Sequence, residues 1–187
     1  NTAPTVTVTS PNGGEDWKAG SVHAITWTAA DNVAVTAIDL AWSSDGGVSY
    51  PNSIATGLTN SGTYNWTVPD APGGAVRVRA IARDAAGNNA SDASNANFTV
   101  SRWTITSSAG TGGSVSPSGA SGVAQGGALT IAITAAAHFH VLDVLVDGVS
   151  AGAVPSVTFS NVTANHTLRS EEHILNSSHL VISYAVF

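Results

Sequence analysis

The stretch that decides the fold is Ala75-Val76-Arg77-Val78-Arg79-Ala80-Ile81-Ala82, in which small or branched apolar residues alternate with longer side chains. Successive side chains of a strand point to opposite faces of a sheet, so this period of two predicts a strand with one face in a core. The same alternation recurs at residues 23–28, 37–42 and 63–68, between turns rich in Gly, Pro, Asn and Asp. About seven such strands in succession predict a β-sandwich.

The composition limits the partners. The chain has 187 residues, 43% hydrophobic and 10% charged, with a net charge of −6 and six Lys or Arg residues. Nucleic acids and anionic membrane surfaces are bound through basic stripes, which this chain lacks, so we expect neither partner and no membrane insertion. The chain contains no Cys, which excludes disulfides and thiol chemistry. Low charge weakens the repulsion between copies and permits self-association.

The first half of the chain carries an ordered series of motifs. They are Pro11-Asn12-Gly13-Gly14-Glu15, Ile25-Thr26-Trp27, Gly62-Thr63-Tyr64-Asn65-Trp66-Thr67-Val68-Pro69 and Ala82-Arg83-Asp84-Ala85-Ala86-Gly87-Asn88. This order resembles the Ig-like modules found beside secreted proteases, glycosidases and surface proteins. The resemblance covers nearly all of residues 4–100. It implies an Ig-like sandwich in a secreted or cell-surface protein and names no ligand.

Residues 103–169 resemble a second module, the glycine-rich bacterial repeat of secreted enzymes and surface proteins. The resemblance rests on Gly112-Gly113-Ser114-Val115-Ser116-Pro117, Val144-Leu145-Val146-Asp147-Gly148 and Phe159-Ser160-Asn161-Val162-Thr163. His138 stands where that pattern usually has Gly. We therefore predict an all-β chain, with an Ig-like β-sandwich at residues 1–100 and a small glycine-rich β module with an atypical C-terminal strand at 101–187.

The atypical strand follows residues 169–178, which we interpret as a polar spacer. Residues 180–187 contain no charge, no Pro and no Gly, so they must pair with another strand to avoid aggregation. Either they close their own module, or they complete the sheet of a neighbouring copy. The predicted assembly residues are Leu180, Val181, Ile182, Tyr184, Val186 and Phe187.

Aromatic residues are the candidates for sugar binding, because their faces stack on sugar rings. Trp27, Trp42 and Trp66 share parity with aliphatic neighbours, which predicts that they lie in the core. Trp17 follows a turn and Tyr50 precedes Pro51. We expect these two side chains to be exposed and treat them as carbohydrate-binding candidates.

Three patterns of acidic residues could each form either a functional site or a structural turn. Residues 43–50 are similar to an aspartate-box hairpin turn, in which Asp45 would cap backbone amides. Asp84, Asn88 and Asp92 could offer oxygens to Ca²⁺, but three ligands are few, so an Asx turn is favoured and no cofactor is predicted. Asp147-Gly148 is predicted to be a two-residue turn.

Two histidines raise the question of a transition metal. His138 and His140 are two residues apart, so on a strand they would share a face suited to Zn²⁺ or Cu²⁺. The sequence places no third ligand beside them, although His166 and His173 exist. No metal site is predicted.

The remaining motifs bear on function as a whole. The signatures of nucleophile elbows, zinc peptidases and phosphate loops are missing, so we do not expect an enzyme. Candidate glycosylation sequons occur at Asn65, Asn89, Asn97, Asn161, Asn165 and Asn176. The sequence predicts an extracellular, non-catalytic structural or adhesive protein, and a fibre subunit if residues 180–187 are donated to a neighbour. The alternative is a carbohydrate-binding accessory region of a secreted polysaccharide-degrading enzyme or protease.

Overall fold

The structure, a computed structural model, describes residues 2–175, which form β-strands joined by turns and bends. Asn176 and the six predicted assembly residues lie outside the described residues. The chain divides into two compact units. The first runs to Arg102 and includes Ala124–Gly126, and the second comprises Trp103–Val123 and the chain from Gly127 onward. The predicted all-β class is confirmed. Over residues 2–175 no helix is long and apolar enough to span a membrane.

The first unit is built from two sheets. Its strands are β1 (Thr5–Ser10), β2 (Asp16–Lys18), β3 (Val22–Ala30), β4 (Val35–Ser43), β5 (Asn52–Leu58), β6 (Thr63–Thr67), β7 (Gly73–Asp84), β8 (Asn89–Ala93) and β9 (Phe98–Ser101). One sheet has the order β1-β3-β6. The other has the order β2-β9-β7-β4-β5, with β8 also paired to β7. These two sheets enclose the core of an Ig-like unit.

The alternation that opened the sequence analysis is confirmed on β7. Val76, Val78, Ala80 and Ala82 are each at most 1% exposed, while the arginines between them lie on the other face. Because β7 pairs with β4, β8 and β9, its inward side chains fill the centre of the first core. The predicted core tryptophans also lie there. Trp27 and Trp66 are buried, and the partly buried Trp42 packs against the same cluster.

The expectation that Trp17 is exposed is wrong, since its side chain is only 7% exposed. β2 pairs with β9 in parallel, and the pleat turns Trp17 inward between Asp16 and Lys18. Its ring stacks on His23, with centroids 4.4 Å apart and planes 2° from parallel, and it also meets Phe98 at 5.1 Å. The polar-apolar-polar alternation of Asp16-Trp17-Lys18 was the sequence signal for this burial.

The second unit also has two sheets. Its strands are β10 (Trp103–Ala109), β11 (Gly113–Ser116), β12 (Gly119–Val123), β13 (Leu129–Ala135), β14 (Phe139–Val146), β15 (Val149–Ser150), β16 (Ser156–Phe159) and β17 (His166–Ile174). The sheet orders are β12-β10-β17-β14-β15 and β11-β13-β16. A separate core contains Ile105, Ile131, Val144 and Leu168, each at most 1% exposed. The turn predicted at Asp147-Gly148 joins β14 to β15, and both residues have positive φ.

The interpretation of residues 169–178 as a polar spacer is wrong for the described part. β17 continues to Ile174 and lies between β10, which it pairs in parallel, and β14, which it pairs antiparallel. Leu168 and Ser170 point into the core and are at most 1% exposed. Glu171 and Glu172 are half-buried. Polar residues therefore extend the central strand of the sheet, because neighbours on both sides satisfy its backbone.

The expectation that His138 and His140 share a strand face is also wrong. His138 precedes β14 and has φ 68°, a left-handed conformation that L-residues other than Gly, Asn and Asp rarely adopt. Its carbonyl accepts the amide of Leu175 at 2.8 Å. The conformation explains why a glycine would be expected at this position.

Replacing His138 by glycine should stabilise the second unit. The substitution relieves the left-handed strain, and the greater freedom of glycine in the unfolded chain offsets part of that gain. We expect a net increase of about 0.5 kcal/mol in the free energy of unfolding, measured by amide hydrogen exchange of β14 and β17. The control is His140→Gly inside β14, which should destabilise the unit. A loss of protection in both variants would contradict the account.

Candidate binding surface

The turn after β4 is fastened by a carboxylate. Asp45 accepts hydrogen bonds from the Ser43 hydroxyl and from the amide and hydroxyl of Ser49, the last at 2.6 Å. The Ser43 hydroxyl in turn accepts the Gly47 amide at 2.9 Å. The hydrogen bonds from Ser43 and then Ser49 hold the pKa of the Asp45 carboxyl well below its usual range. The turn interpretation of residues 43–50 is therefore confirmed.

This turn brings Gly47 against two long side chains. Gly47 has φ 89°. A Cβ at this position would lie 2.9 Å from the Tyr50 hydroxyl and 3.0 Å from Arg77 Cδ. The first distance is shorter than real Cβ contacts and the second is at their lower limit, so an added methyl group would displace the outer parts of both side chains. Because Gly47 has no side chain, Tyr50 and Arg77 pack directly against the turn.

Tyr50 lies against a second arginine of β7. The Cζ atom of Arg79 is 4.5 Å from the centroid of the Tyr50 ring, within the range of cation–π attraction. Both side chains are half-buried. Burial raises the pKa of the Tyr50 hydroxyl, and the charges of Arg77 and Arg79 oppose that shift. Tyr50, predicted as a binding candidate, is therefore placed in a cationic and aromatic cluster.

Arg77 completes the cluster, which we call the Tyr50 face and define as Tyr50, Arg77 and Arg79. Its Nε donates to the Asn97 side-chain oxygen at 2.7 Å, and its Nη1 donates to the Ser94 carbonyl at 3.4 Å. In the sequence, both arginines occupy the outward positions of a predicted strand, and no motif gives them a role. The available signal was that two of only six cations occur two residues apart.

The residues considered for calcium use their side chains in hydrogen bonds within the first unit. Asp84 accepts the amides of Ala86 and Asn88 and the Asn88 side-chain amide, the last at 2.7 Å. The Asn88 side chain therefore faces Asp84 through its donor rather than its oxygen. Asp92 accepts the amide of Val8 at 2.8 Å. The favoured Asx-turn interpretation of Asp84 is confirmed.

Polar side chains of the second unit are likewise used locally. Asp143 accepts the Gly152 amide and the Ser150 hydroxyl, and Asp147 contacts His166 Nδ1 at 2.7 Å. His140 faces His173 across β14 and β17, with ring centroids 6.0 Å apart. In the part of the chain that the structure describes, three or more His, Asp or Glu side chains nowhere converge to hold a metal ion.

A shallow groove of about 300 Å³ lies on the outer side of the five-stranded sheet of the second unit. Its lining includes Thr106, Leu145 and Arg169. Arg169 forms an ion pair with Glu171, so its charge is already matched. Unlike the Tyr50 face, this groove offers neither an aromatic ring nor a cation without a carboxylate partner.

The five sequons within the described residues have exposed asparagines: Asn65, Asn89, Asn97, Asn161 and Asn165. Two of these side chains also hold structure. Asn97 accepts from Arg77, and Asn165 accepts the Thr104 amide at 2.8 Å. Whether any of them carries a glycan stays a prediction.

Comparison with known proteins bears on the first unit. Residues 10–100 match the family model of the Kre9/KNH-like N-terminal Ig-like domain. The match fits a non-catalytic extracellular module and is compatible with secretion. It ends at residue 100, so the resemblance of residues 103–169 to the glycine-rich repeat stays a prediction.

Solved structures give two further likenesses. The fibronectin(III)-like modules of Clostridium thermocellum CbhA are 20% identical over 51% of this chain and 92% of that chain, with a TM-score of 0.38. Titin domains Z1Z2 in complex with telethonin are 15% identical over 90% of this chain and 95% of that chain, with a TM-score of 0.31. No curated protein matches the sequence.

Substituting Gly47 by alanine should disturb the Tyr50 face beyond the cost of backbone strain. The matched control is Gly87→Ala, because Gly87 has the same φ of 89° and a Cβ added there would meet nothing within 4 Å. We expect both variants to lose about 1 kcal/mol through left-handed strain, and Gly47→Ala to lose about 1 kcal/mol more through overpacking. Urea unfolding followed by tryptophan fluorescence measures this, and nuclear magnetic resonance shifts of the Tyr50 ring should move only in Gly47→Ala. Equal losses would contradict the proposed contact.

Proposed function

We propose that this chain is an extracellular, non-catalytic structural or adhesive protein that self-associates by donating residues 180–187 to a neighbouring copy. The observation that supports it is the position of β17 within its sheet. β17 lies between β10 and β14 and contributes Leu168 and Ser170 to the core. Residues before 176 therefore supply the central strand of the five-stranded sheet in the second unit. This sheet does not depend on residues 180–187 for its central strand.

Strand donation also needs an acceptor. Among residues 2–175, the second unit has edge strands in both sheets, β12 and β15 in one and β11 and β16 in the other. An edge strand presents unpaired backbone groups to which an extended segment can add. When such exchange is head-to-tail, the contact is heterologous and produces filaments rather than closed dimers. Addition to an edge of the same copy is the competing outcome.

The test compares the full chain with a truncation ending at Leu175. Ending at Arg169 instead would remove Ser170, which is fully buried, and would damage the unit itself. We expect the full chain to form filaments by negative-stain microscopy and large species by light scattering, and the truncation to remain a folded monomer. Assembly should disappear because the donated strand is absent.

A point variant tests the same segment in a chain of full length. Ile182→Asp places a charge on the uncharged segment and should block assembly, since a charge disfavours strand addition. Val33→Asp is the control, because Val33 is 73% exposed on the first unit and receives the same charge. A monomeric full chain, or filaments that persist after truncation, would refute strand donation.

A second candidate function is carbohydrate binding as an accessory module, and the Tyr50 face favours it. Trp17 no longer supports this function, because its ring is buried against His23 and Phe98. Tyr50 is half-buried and has a cation beside its ring. A rigid aromatic ring bordered by hydrogen-bond donors is a common arrangement for holding a polar ligand.

A further inference from the structure

We propose that the Tyr50 face binds the carboxylates of an acidic polysaccharide, that is, a polymer containing uronic acids. This inference rests on the second candidate function and names its ligand class. It is independent of whether residues 180–187 exchange between copies.

Four of the six cations of the chain have a carboxylate partner. The ion pairs are Lys18 with Asp16, Arg83 with Asp39, Arg102 with Asp70, and Arg169 with Glu171. Within residues 2–175, Arg77 and Arg79 form no such pair. The two cations without a carboxylate thus lie together in a chain whose net charge is −6. That concentration makes this face the local site for an anion.

Neither arginine donates a hydrogen bond to a carboxylate among the described residues. Arg79 Nε is buried and donates to no acceptor among the described residues. A buried donor without an acceptor carries a desolvation cost, and the guanidinium that bears it has no carboxylate partner among the described residues. Arg77 donates to neutral oxygens of Asn97 and Ser94. A carboxylate presents two oxygens that match the fork of a guanidinium.

The acidic groups near Tyr50 do not neutralise the pair. Asp45 is held in its turn by Ser43 and Ser49. Asp92 is registered with the inward Ala80 and accepts the Val8 amide on the other side of β7. Neither carboxylate forms an ion pair with Arg77 or Arg79 among residues 2–175, so both guanidinium groups keep their charge available to a ligand.

The surroundings favour a sugar polymer over an acidic protein. Tyr50 offers the edge of an aromatic ring, and the exposed Ser44, Ser49 and Asn97 offer small polar groups. The core of a protein interface is on average more apolar than the rest of the surface, whereas the Tyr50 face consists of one tyrosine and two arginines, all half-buried. Arg77 and Arg79 follow one another on one strand face, about 6.6 Å apart at the strand rise. Two cations at this spacing suit a ligand with repeating charges.

The experiment measures binding of the full chain to polygalacturonate and to the same polymer after methyl esterification. Esterification keeps the sugar rings and removes the carboxylate charge. Affinity electrophoresis and titration calorimetry should show binding to polygalacturonate that weakens with added salt, and binding at least tenfold weaker to the ester. Sulfated dextran and polyglutamate serve as anions of other classes and should bind more weakly than polygalacturonate.

The variants Arg77→Gln and Arg79→Gln should each weaken polygalacturonate binding about tenfold, as expected for loss of a charge-assisted hydrogen bond. Arg79→Lys should rescue only part of that loss, because it keeps the charge but not the fork. The matched control is Arg83→Gln. Arg83 lies on the same face of β7 but is paired with Asp39 at 2.8 Å, so the same change of charge should leave binding unchanged.

The outcomes separate this inference from the function on which it rests. Equal binding to the acid and the ester, unaffected by Arg79→Gln, would overturn the inference while retaining carbohydrate binding. Absence of binding to both polymers would overturn both. Stronger binding to polyglutamate would assign the Tyr50 face to an acidic polypeptide and overturn the sugar assignment. Equal weakening by Arg83→Gln would reduce the effect to net charge and overturn the site.

Discussion

The pleat of β7 is the constraint on which the first unit depends. It directs Val76, Val78 and Ala80 into the core, where each is at most 1% exposed, and it necessarily directs Arg77 and Arg79 outward. Three neighbouring strands pair with β7, so its register cannot slip without moving the hydrophobic set out of the core. The arrangement of cations at the surface is therefore fixed by the packing beneath it.

Several carboxylates of the molecule stabilise its turns. Asp45, Asp84, Asp143 and Asp147 each accept backbone amides in or beside a turn. A chain without cysteine must hold its loops by other means, and an Asx-type hydrogen bond stabilises a turn locally. Among residues 2–175, Asp45, Asp143 and Asp147 form no ion pair with Lys or Arg. This explains how a chain with twice as many acids as cations leaves two arginines without an ionic partner.

Much of the fold could be predicted from the sequence because period-two alternation has a direct physical cause. That rule worked for β7 and for Trp27 and Trp66, which lie in long alternating strands. The alternation around Trp17 was too short to be decisive, because its strand has three residues and its parallel partner is distant in the chain. The rule failed for residues 169–174, where polar side chains suggested a spacer, because the two strands that flank β17 come from elsewhere in the chain.

Only one of the three residues of the candidate site could be predicted from the sequence. Tyr50 could be predicted as a candidate from its place beside Pro51. The role of Arg77 and Arg79 could not, because it depends on their lacking a carboxylate partner among the described residues of the folded chain. Charge pairing between distant strands is a property of the folded arrangement, as with Arg83 and Asp39 of β4. The left-handed φ of His138 is a similar case, since only the turn into β14 requires it.

Each unit joins an early strand to its last described strand in parallel, β2 with β9 and β10 with β17. Tension transmitted along the polypeptide would pull the two strands of such a pair in opposite directions along their own length. The ladder hydrogen bonds would then be loaded together in shear instead of opening one after another. Forced unfolding is governed by the barrier to unfolding, and a sheared pair raises that barrier. The topology thus makes these two strand pairs resist separation by a pull along the chain.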